Sequence, residues 1–408
     1  MHQASIRFDP RDVAAMPDPF PLFCRLREED PVHWSSRLGG WILTRYEDVR
    51  RAATTSEMSP DRLRPFFAQL PQAQRSTLGD LARFLTLWVV FRDPPDHTRV
   101  RAIMSQAFAS RAVQALIPDI ATVIDDLLDR MERQAAADLI RDFAYPLPAT
   151  VIMDLLGVPR GDLGLVKQWS DELALFIGGA QDVPNKYARA QEAARQMADY
   201  FRDLVNHRRA SPSGDLVTDL IEARNGAGRL DNDEVIAACM LMLFAGHETT
   251  TNLIGNGVLA LLRHRDELRR LRDDPGLAAS AVEECLRFDG PSGALARVVA
   301  VEHELRGRLL RKGDRVFAMV NAANRDPRVF PEPDRFDIKR RPNPHIAFGA
   351  GPHFCLGAPL ARLEGKLALA EIARRYPAMR LARDDLAWND SLIIRGLTSL
   401  PVLLDHQA

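Results

Sequence analysis

The stretch NDEVIAACMLMLFAGHETTTNLIGNGVLALLRHRDELRRL, residues 232–271, constrains the fold more than any other part of the chain. Its apolar residues recur at three- and four-residue spacings, which predicts one very long helix. Asp231, with Glu234 three residues later, predicts a capping box at the start of this helix. The most apolar run, Val235–Ala245, has eleven residues, whereas a membrane-spanning helix needs about 20. We therefore expect a long helix of a protein that does not span a membrane.

The rest of the chain predicts a mainly α fold with a smaller β portion. Helical periodicity dominates from about Asp96 onward. Three stretches favour β structure: Trp41–Thr44, residues 294–320, and residues 392–404, which we expect to form a terminal hairpin. Because no linker, low-complexity block or repeat marks a boundary, we expect a single domain over residues 1–408.

Composition and charge exclude several classes of protein. The apolar fraction of 46% and the charged fraction of 27% are ordinary for a soluble globular protein. The formal net charge of −1 gives no bulk attraction to nucleic acid, so we expect no nucleic-acid partner. The N-terminal sequence MHQASIRFDPRDVAAMPDPFP has no apolar core typical of a signal peptide or anchor. We expect a cytoplasmic protein.

The four cysteines are scattered and form no C-x-x-C pair, which argues against a zinc cluster and against a disulfide framework. Cys239 and Cys285 lie in apolar helical patterns and are interpreted as core residues. The same interpretation applies to Cys24. Cys355 is different because it lies in the glycine-rich stretch FGAGPHFCLG.

The position of Cys355 favours a reactive thiolate. It precedes a predicted helix with Pro359 near its first turn, and the N-terminus of a helix stabilises a negative charge and lowers a thiol pKa. Gly349 and Gly357 allow the backbone to approach a flat object closely. A thiolate with such access suits the axial iron ligand of haem, where it favours O–O cleavage. The alternative is a glycine-rich turn with a buried structural cysteine.

The segment AGHETTT interrupts the long apolar helix with polar residues. Gly246 weakens a helix by about 1 kcal/mol relative to alanine. A buried carboxylate at Glu248 needs partners or a shifted pKa. A purely structural interpretation exists, because threonine hydroxyls can bond back to the carbonyl four residues earlier. Beside the cysteine loop, the functional interpretation is favoured.

Four ordered motifs resemble those of the cytochrome P450 superfamily. FGAGPHFCLG is similar to its haem-thiolate loop, AGHETTT to the oxygen-activation segment of its long helix, EECLR to an E-x-x-R helix, and PDRF to the motif that completes an E-R-R triad. The likeness covers nearly the whole chain and is greatest to the soluble bacterial type. It implies the P450 fold, haem b as cofactor and O2 as co-substrate.

The resemblance assigns roles on the long helix and the loop. Cys355 is implied to be the metal ligand. Ala245 and Gly246 are implied to thin the helix so that O2 fits beside the iron. Thr249 and Glu248 are implied to be the catalytic alcohol and acid, with the acid relaying protons. Thr250 is the weaker candidate for the alcohol and is otherwise a packing residue. The motif does not need His247, which we interpret as a helix-surface or packing residue. Phe348 is implied to pack against the haem and the sulfur.

Haem propionates need cationic partners, and several residues match the family's positions. His97 and Arg101 are four residues apart and lie on one helical face. Arg297 and His353 match two further contacts. Arg101 and Arg297 are the stronger pair because a guanidinium binds a carboxylate bidentately. Arg99 lies off this face and is expected to be exposed.

A buried structural triad is implied for Glu284, Arg287 and Arg335. Glu284 and Arg287 are three residues apart on a helix and can pair locally. Arg335, in the following loop, is implied to join them and to fix the segment that leads to the cysteine. Removing one member would leave an uncompensated buried charge.

The resemblance implies a monooxygenase that hydroxylates or epoxidises an apolar small molecule. No flavin or iron–sulfur motif is present, so electrons are expected from separate proteins, either a ferredoxin with its reductase or a flavodoxin. Arg111 and Arg362 are expected to steer an acidic partner. The expected pocket walls are apolar: Phe84, Trp88, Val89, Leu241, Phe244, Leu295, Ile393 and Ile394.

Two alternatives remain. The first is a haem-thiolate peroxygenase or isomerase that needs no external electrons; Glu248 and Thr249 argue against it, since such enzymes usually lack the acid–alcohol pair. The second is a haem protein that binds a ligand without turnover, for which the chain offers no signalling domain. The identity of the substrate is not predicted.

Overall fold

The computed structural model describes residues 6–107, 110–134, 136–178, 183–224 and 228–404. It is mainly α-helical, as predicted. The helices of the first half are α1 Pro10–Ala15, α2 Phe20–Glu29, α3 Tyr46–Thr54, α4 Leu63–Gln69, α5 Gln72–Thr77, α6 Gly79–Leu85, α7 Asp96–Ala107, α8 Ser110–Ala115, α9 Ile117–Glu132 and α10 Pro146–Leu156. The remaining helices are α11 Leu163–Ile177, α12 Lys186–Ala210, α13 Leu216–Glu222, α14 Asn232–Arg263, α15 Arg265–Asp273, α16 Ala278–Asp289, α17 Val320–Ala323 and α18 Ala358–Arg375.

The β portion consists of short strands in three sheets. The strands are β1 Val32–Ser35, β2 Gly40–Leu43, β3 Met58–Ser59, β4 Ala137–Asp138, β5 Ala294–Val299, β6 His303–Leu305, β7 Arg308–Leu310, β8 Arg315–Met319, β9 Arg380–Leu381 and β10 Pro401–Leu403. The largest sheet has the order β1-β2-β8-β5-β3, and only its β2–β8 pairing is parallel. A second sheet has the order β4-β10-β9, and β6 pairs with β7.

The predicted β segments at 41–44 and 294–320 are confirmed, but the expected terminal hairpin is wrong. Strand β10 pairs with β4 and β9, so its partners come from distant parts of the chain. The residues before it form isolated bridges, Ser292 with Ile394 and Trp388 with Leu397. The C-terminal segment therefore closes the helical core against β4 and lies beside the start of β5.

Helix α14 begins as predicted but ends earlier. Its capping box is complete, because the side chain of Asp231 accepts from the backbone N–H of Glu234 and the side chain of Glu234 accepts from that of Asp231. His264 leaves the helical conformation at φ −118° and ψ 71°, and α15 starts after it. The prediction of one continuous helix to residue 271 is therefore wrong at this residue.

The two halves of α14 belong to different hydrophobic clusters. Residues 235–244 pack with α6, α10 and α12, and residues 253–262 pack with α9, α16 and α18. The polar segment 245–252 lies between the clusters. The helix therefore carries its polar residues at the point where the core divides.

The loop before α18 is held by a buried ionic network. The carboxylate of Glu284 accepts from Arg287 Nε and Nη2, each at 2.8 Å, and both side chains are fully buried. The same carboxylate accepts from Arg340 Nε at 3.2 Å and from Asn343 Nδ2 at 3.2 Å. The network therefore ties α16 to the irregular segment that leads to Cys355.

The sequence analysis predicts that the side chain of Arg335 joins this network, and that prediction is wrong. The side chain of Arg335 is 55% exposed and lies 3.5 Å from Glu332. Only its carbonyl takes part, accepting from Arg287 and from Arg340. Arg340, five residues later, supplies the third charge because the loop turns it inward.

Two further sequence interpretations are corrected. Cys24 is exposed on α2, whereas Cys239 and Cys285 are buried as predicted. Arg99 is only 26% exposed and pairs with Glu234 at the start of α14. Among the described residues we find no helix whose length and hydropathy would let it span a membrane.

We predict that Arg340→Ala lowers the free energy of unfolding by about 1–3 kcal/mol, because a charged hydrogen bond to buried Glu284 is lost. Arg335→Ala is the matched control and should change it by no more than about 0.5 kcal/mol, since that side chain is exposed. Urea unfolding of the two variants, followed by circular dichroism, checks the prediction. Equal losses in both would contradict the assignment of Arg340.

Candidate functional site

A cavity lies between α14 and the loop that carries Cys355. It encloses about 260 Å³. Its wall on the helix side includes Ala245, Gly246, Thr249 and Thr250, and its opposite wall includes Cys355. The loop wall also contains Phe348, Gly349, His353, Phe354, Leu356 and Gly357, and the cavity is bounded further by Val89, Arg101, Leu241, Leu295 and Leu360. The structure therefore brings together two motifs that lie about a hundred residues apart.

The backbone around Cys355 is held by a local turn. The N–H of Cys355 donates to the carbonyl of Phe348 at 2.9 Å. Gly349 has φ +72° and Gly351 has φ +67°, a region that favours glycine. Helix α18 begins at Ala358 with Pro359 in its first turn, as predicted. This turn presents the cysteine to the cavity.

The expectation that the loop alone lowers the thiol pKa is wrong. Burial raises the pKa of Cys355, and this effect outweighs the N–H groups of Gly357 and Ala358 and the charges of Arg101 and Arg362. A bound metal ion deprotonates a coordinating thiol outright. A metal ion bound at Cys355 would therefore supply the charge that favours its thiolate.

Space beside the cysteine fits a flat group. A Cβ added to Gly357 would meet no protein atom within 4 Å, although this residue lines the cavity. Gly357 has φ −80°, so its backbone conformation does not require glycine. Gly351, in contrast, lies against the backbone of α3, where a Cβ would be 3.2 Å from Thr54 Cα. Open space at Gly357 therefore leaves room for a ligand plane.

The four residues predicted to hold propionates lie around one end of this site. The rings of His97 and His353 are 4.0 Å apart, and both nitrogens of buried His97 have no partner among the described residues. Arg101 donates to the carbonyl of Phe354, and Arg297 to that of Ala296 at 3.0 Å.

The two arginines of this group carry positive charge without a carboxylate to neutralise it. No Asp or Glu of the described residues lies within ion-pair distance of Arg101 or Arg297, although Asp93 is near enough to favour the charged form of Arg297. Burial lowers the pKa of Arg297 to about 10. Burial, with His97 and the two arginines, lowers the pKa of His353 to about 3. Two carboxylates would compensate this charge, and haem b carries two.

Sequence reasoning missed a further cation near this group. Arg62, at the start of α4, is close enough to Arg297 for the two charges to disfavour each other. Burial and Arg297 lower the pKa of Arg62 to about 10. No motif marks this residue, and its neighbour in space is more than 200 positions away in the sequence.

The other side of the cysteine loop contains a second ionic cluster. Glu283 accepts from Arg362 Nε at 2.7 Å and from His345 Nε2 at 3.0 Å, with the histidine tautomer assigned from this contact. Burial raises the pKa of Glu283, but the two hydrogen bonds outweigh it and bring the pKa to about 2. The Arg362 guanidinium lies 4.5 Å from the centre of the Phe348 ring.

This cluster limits the partner-docking prediction. Arg362 is 38% exposed and its charge is committed to Glu283, so it is not an isolated steering charge. The side chain of Arg111 lies outside the described residues. The guanidinium of Arg362 packs against the ring of Phe348, which is part of the cysteine loop.

On the helix side, both threonine hydroxyls bond back to the helix. Thr249 Oγ1 donates to the carbonyl of Ala245 at 3.2 Å, and Thr250 Oγ1 donates to that of Gly246 at 3.4 Å. Thr249 is the more exposed to the cavity, and Thr250 is buried. Both threonine hydroxyls therefore bond back to the carbonyl four residues earlier, as the structural interpretation of this segment expects. The acceptor lone pairs of Thr249 remain available on the cavity side.

Glu248 is not among the residues that line the cavity, and its charge acts on Tyr145, the residue before α10. Its Oε1 lies 3.6 Å from Nε2 of His247, and its side chain is 16% exposed. His247 is fully buried, and its Nδ1 donates to the carbonyl of Leu243 at 2.6 Å. The ring of Tyr145 meets the His247 ring edge-on at 5.6 Å. His247 is therefore a packing residue, one of the two positions predicted for it.

Gly246 has a packing reason that the sequence did not reveal. A Cβ at this position would lie 2.8 Å from Ile152 Cγ1 on α10. The glycine is therefore required by the close crossing of α10 and α14. Ala245 is the residue whose small side chain faces the cavity.

Only part of the predicted apolar pocket lines this cavity. Val89, Leu241 and Leu295 do. Phe84, Trp88 and Phe244 are buried in a hydrophobic cluster and do not line the cavity. The ring centres of Trp88 and Phe244 are 5.5 Å apart. The prediction that these three residues form the cavity wall is therefore wrong.

The last two predicted wall residues lie elsewhere. Ile393 lines a second cavity, and Ile394 packs against the hydrophobic cluster that contains the first half of α14. Neither is among the residues around Cys355. Within the described residues, no group of three or more His, Cys, Asp or Glu could hold a metal ion.

Comparison with known proteins identifies the family. Residues 66–275 and 276–384 match the family model described as Cytochrome P450. The chain therefore belongs to the cytochrome P450 family, whose members use haem b and O2 for monooxygenation. This confirms the predicted family, fold, cofactor and enzyme class.

Relatives of known name cover almost the whole chain. Cytochrome P450 107B1 of Saccharopolyspora erythraea is 40% identical over 96% of each chain. The vitamin D(3) 25-hydroxylase of Pseudonocardia autotrophica is 40% identical over 95% of this chain and 94% of its own. Among solved structures, P450BioI in complex with hexadec-9Z-enoic acid ligated acyl carrier protein has a TM-score of 0.89, with 34% identity over 97% of this chain and 100% of its own.

We predict that Arg297→Gln and Arg101→Gln each speed haem loss about tenfold, because each removes one charge-assisted bond to a propionate. The rate of haem transfer to apomyoglobin measures the loss. Arg269→Gln is the control, since Arg269 is exposed on α15 and pairs with Asp266. Loss rates equal to those of the control in both single variants and in the double variant would contradict the assignment.

Proposed function

We propose that this chain is a haem-thiolate monooxygenase of an apolar small molecule, with Cys355 as the axial ligand. The observation that carries the proposal is the position of the Cys355 thiol across one cavity from Ala245 and Thr249 of α14. We further propose that the chain acts as a single haem domain. The cavity wall supports this, since it draws on residues from Val89 to Ala361.

Haem, when bound, supplies the binding and reductive activation of O2. The protein's part begins at Thr249, whose hydroxyl donates to the carbonyl of Ala245 and keeps its acceptor sites available on the cavity side of α14. It holds a water molecule and passes a proton at Oγ1. Thr250 is buried one position further round the helix and does not replace it.

Glu248 carries the proton from outside the cavity to Thr249. Its carboxylate is partly exposed and lies beside His247 and Tyr145, so it is linked both to solvent and to the helix interior. Burial raises the pKa of Tyr145, and the nearby charges of Glu248 and Asp171 raise it further. Tyr145 therefore stays neutral, and the acid that moves protons is Glu248.

Electrons come from a separate protein, a ferredoxin with its reductase or a flavodoxin. The cysteine loop and the first turn of α18 form the side on which such a partner docks. Because the charge of Arg362 is neutralised by Glu283, other basic residues of this side contribute to steering, with Arg111 as the predicted one.

The substrate is an apolar molecule, because the cavity wall is mostly aliphatic and aromatic. Names of relatives are consistent with this class: one is a vitamin D(3) 25-hydroxylase, and a structural neighbour was solved with an acyl chain on a carrier protein. Substrates that release water from the cavity should shift the haem spin state. A spectral screen of apolar compounds, followed by NADH consumption with surrogate ferredoxin partners, tests the proposed activity.

The same assay separates the alternatives. A peroxygenase would form product with hydrogen peroxide alone and would not need the electron donors. A ligand-binding haem protein would show the spectral shift without product. The acid–alcohol pair Glu248 and Thr249 favours the monooxygenase, since it serves proton delivery during reduction of O2.

We predict that Thr249→Ala uncouples the reaction. NADH should still be consumed, product per NADH should fall about tenfold, and hydrogen peroxide should rise in step, because proton delivery is no longer directed. Thr249→Ser keeps the hydroxyl and should restore coupling. Thr250→Ala is the matched control and should change coupling less than twofold, and the three quantities are measured in one assay.

A larger loss of coupling in Thr250→Ala than in Thr249→Ala would show that Thr250, and not Thr249, relays the proton. Unchanged coupling in Thr249→Ala would remove the alcohol from the mechanism.

A further inference from the structure

A second cavity borders strand β5, which also borders the haem site. It encloses about 390 Å³. Ala296 and Arg297 of β5 line it, and the adjacent Leu295 lines the cavity at Cys355. Ile393 also lines it, and the adjacent Ile394 bridges to Ser292 of the first cavity wall. The two cavities are therefore neighbours whose walls meet at β5.

The charges that line the second cavity are almost all positive. They come from Arg37, Arg62, Lys186, Arg297 and Arg315. Of the residues that the structure describes here, Asp390 is the one carboxylate in the lining, and it is exposed. An anion that enters this cavity would therefore meet several cations at once.

Three of these cations have no carboxylate partner. Arg37 is paired with Asp9 at 3.2 Å. Arg62, Arg297 and Arg315 have no Asp or Glu within ion-pair distance among the residues described. Their contacts are to backbone carbonyls, which hold the guanidinium groups in place but do not neutralise them.

Arg62 is held where it can receive a ligand. Its Nη2 donates to the carbonyl of Ile177 at 2.9 Å, at the C-terminus of α11, and its guanidinium lies 5.2 Å from the centre of the Phe91 ring. Burial and the charge of Arg297 lower its pKa to about 10, so it remains protonated at neutral pH. A fixed, partly buried cation without a counter-ion is a binding site for an anion.

The haem propionates do not account for all of this charge. Four other groups, His97, Arg101, Arg297 and His353, already surround the predicted propionate positions. Arg62 is additional, and so is Arg315 of β8, which pairs with Val298 of β5 and donates to the carbonyl of Leu38. The excess positive charge therefore points to a second anionic ligand.

The remaining wall of this cavity is apolar. Leu63, Phe66, Phe176, Phe317, Leu392 and Ile393 line it. An apolar wall with cations at fixed positions matches an amphiphile, whose chain contacts the hydrophobic side chains and whose end group contacts the arginines.

We propose that the second cavity binds the carboxylate end of an amphiphilic substrate whose apolar chain extends past β5 toward Cys355. The proposal rests on the proposed function, because it names the substrate class of that same site. Arg62 and Arg315 are specificity-determining residues in this account, and Arg297 serves the cofactor as well.

Matched ligands test the proposal by binding alone. Tetradecanoate, methyl tetradecanoate and 1-tetradecanol share one chain and differ in charge. We expect tetradecanoate to shift the haem spin state with a Kd about tenfold lower than that of the other two, and we expect this advantage to shrink as salt is raised, since salt screens exposed charges. Equal Kd values for the three would overturn the proposal and would assign the cations to the cofactor alone.

Variants locate the anion site. Arg62→Gln keeps a donor for the carbonyl of Ile177, and Arg315→Gln keeps one for that of Leu38. Each should raise the Kd of tetradecanoate about tenfold and leave that of 1-tetradecanol unchanged. Arg64→Gln is the matched control, because Arg64 is exposed and pairs with Asp61. An unchanged Kd for tetradecanoate in both cavity variants would overturn the proposal.

Measuring the haem content of each variant distinguishes a lost anion site from a lost haem contact. If Arg62→Gln loses haem, Arg62 is a propionate ligand, that part of the proposal is overturned, and Arg315→Gln decides whether an anion site exists. If the wild-type protein lacks the thiolate signature in its reduced carbon monoxide complex, the proposed function itself fails. A thiolate signature with no preference for the carboxylate ligand overturns only the inference about the second cavity.

Discussion

Uncompensated positive charge around the cavity of Cys355 is the constraint on which the rest of the site depends. Within the described part of the chain, Arg101 and Arg297 have no carboxylate partner, and the rings of His97 and His353 stay neutral beside them. The cysteine is equally incomplete, since burial disfavours its thiolate. A cofactor that brings two carboxylates and a metal ion compensates both, so cofactor binding and the stability of this region are one equilibrium.

The fold supplies the two rigid walls that this equilibrium needs. Helix α14 is capped at Asp231 and packed on two hydrophobic clusters, so its polar segment is held at the division between them. The loop on the opposite wall has little regular structure of its own. It is fixed from below by Glu284 with its two arginines, and by Glu283 with Arg362. Of the two, the Glu284–Arg287 pair is fully buried, so removing one partner would leave an uncompensated charge.

Sequence patterns predicted what is local and missed what depends on distant segments. The capping box and the threonines of α14 follow from spacing along one helix, and they were predicted correctly in position. The PDRF motif points to Arg335, but only the folded loop determines that the side chain of Arg340 turns inward instead. No sequence pattern marks Arg62 as a site residue, because its proximity to Arg297 arises only in the folded chain. Gly246 lines the cavity, as its predicted role requires, and its contact with Ile152 of α10 is a second reason for glycine that only the folded chain shows.

The central claim is that Cys355 binds the iron as a thiolate, and the absorption spectrum of the reduced carbon monoxide complex tests it most directly. The account predicts a Soret band at a much longer wavelength than that of histidine-ligated haem proteins in the wild-type protein, and loss of that band in Cys355→His, which still binds haem. Persistence of the long-wavelength band in Cys355→His, or its absence in wild type that is fully loaded with haem, would contradict the account.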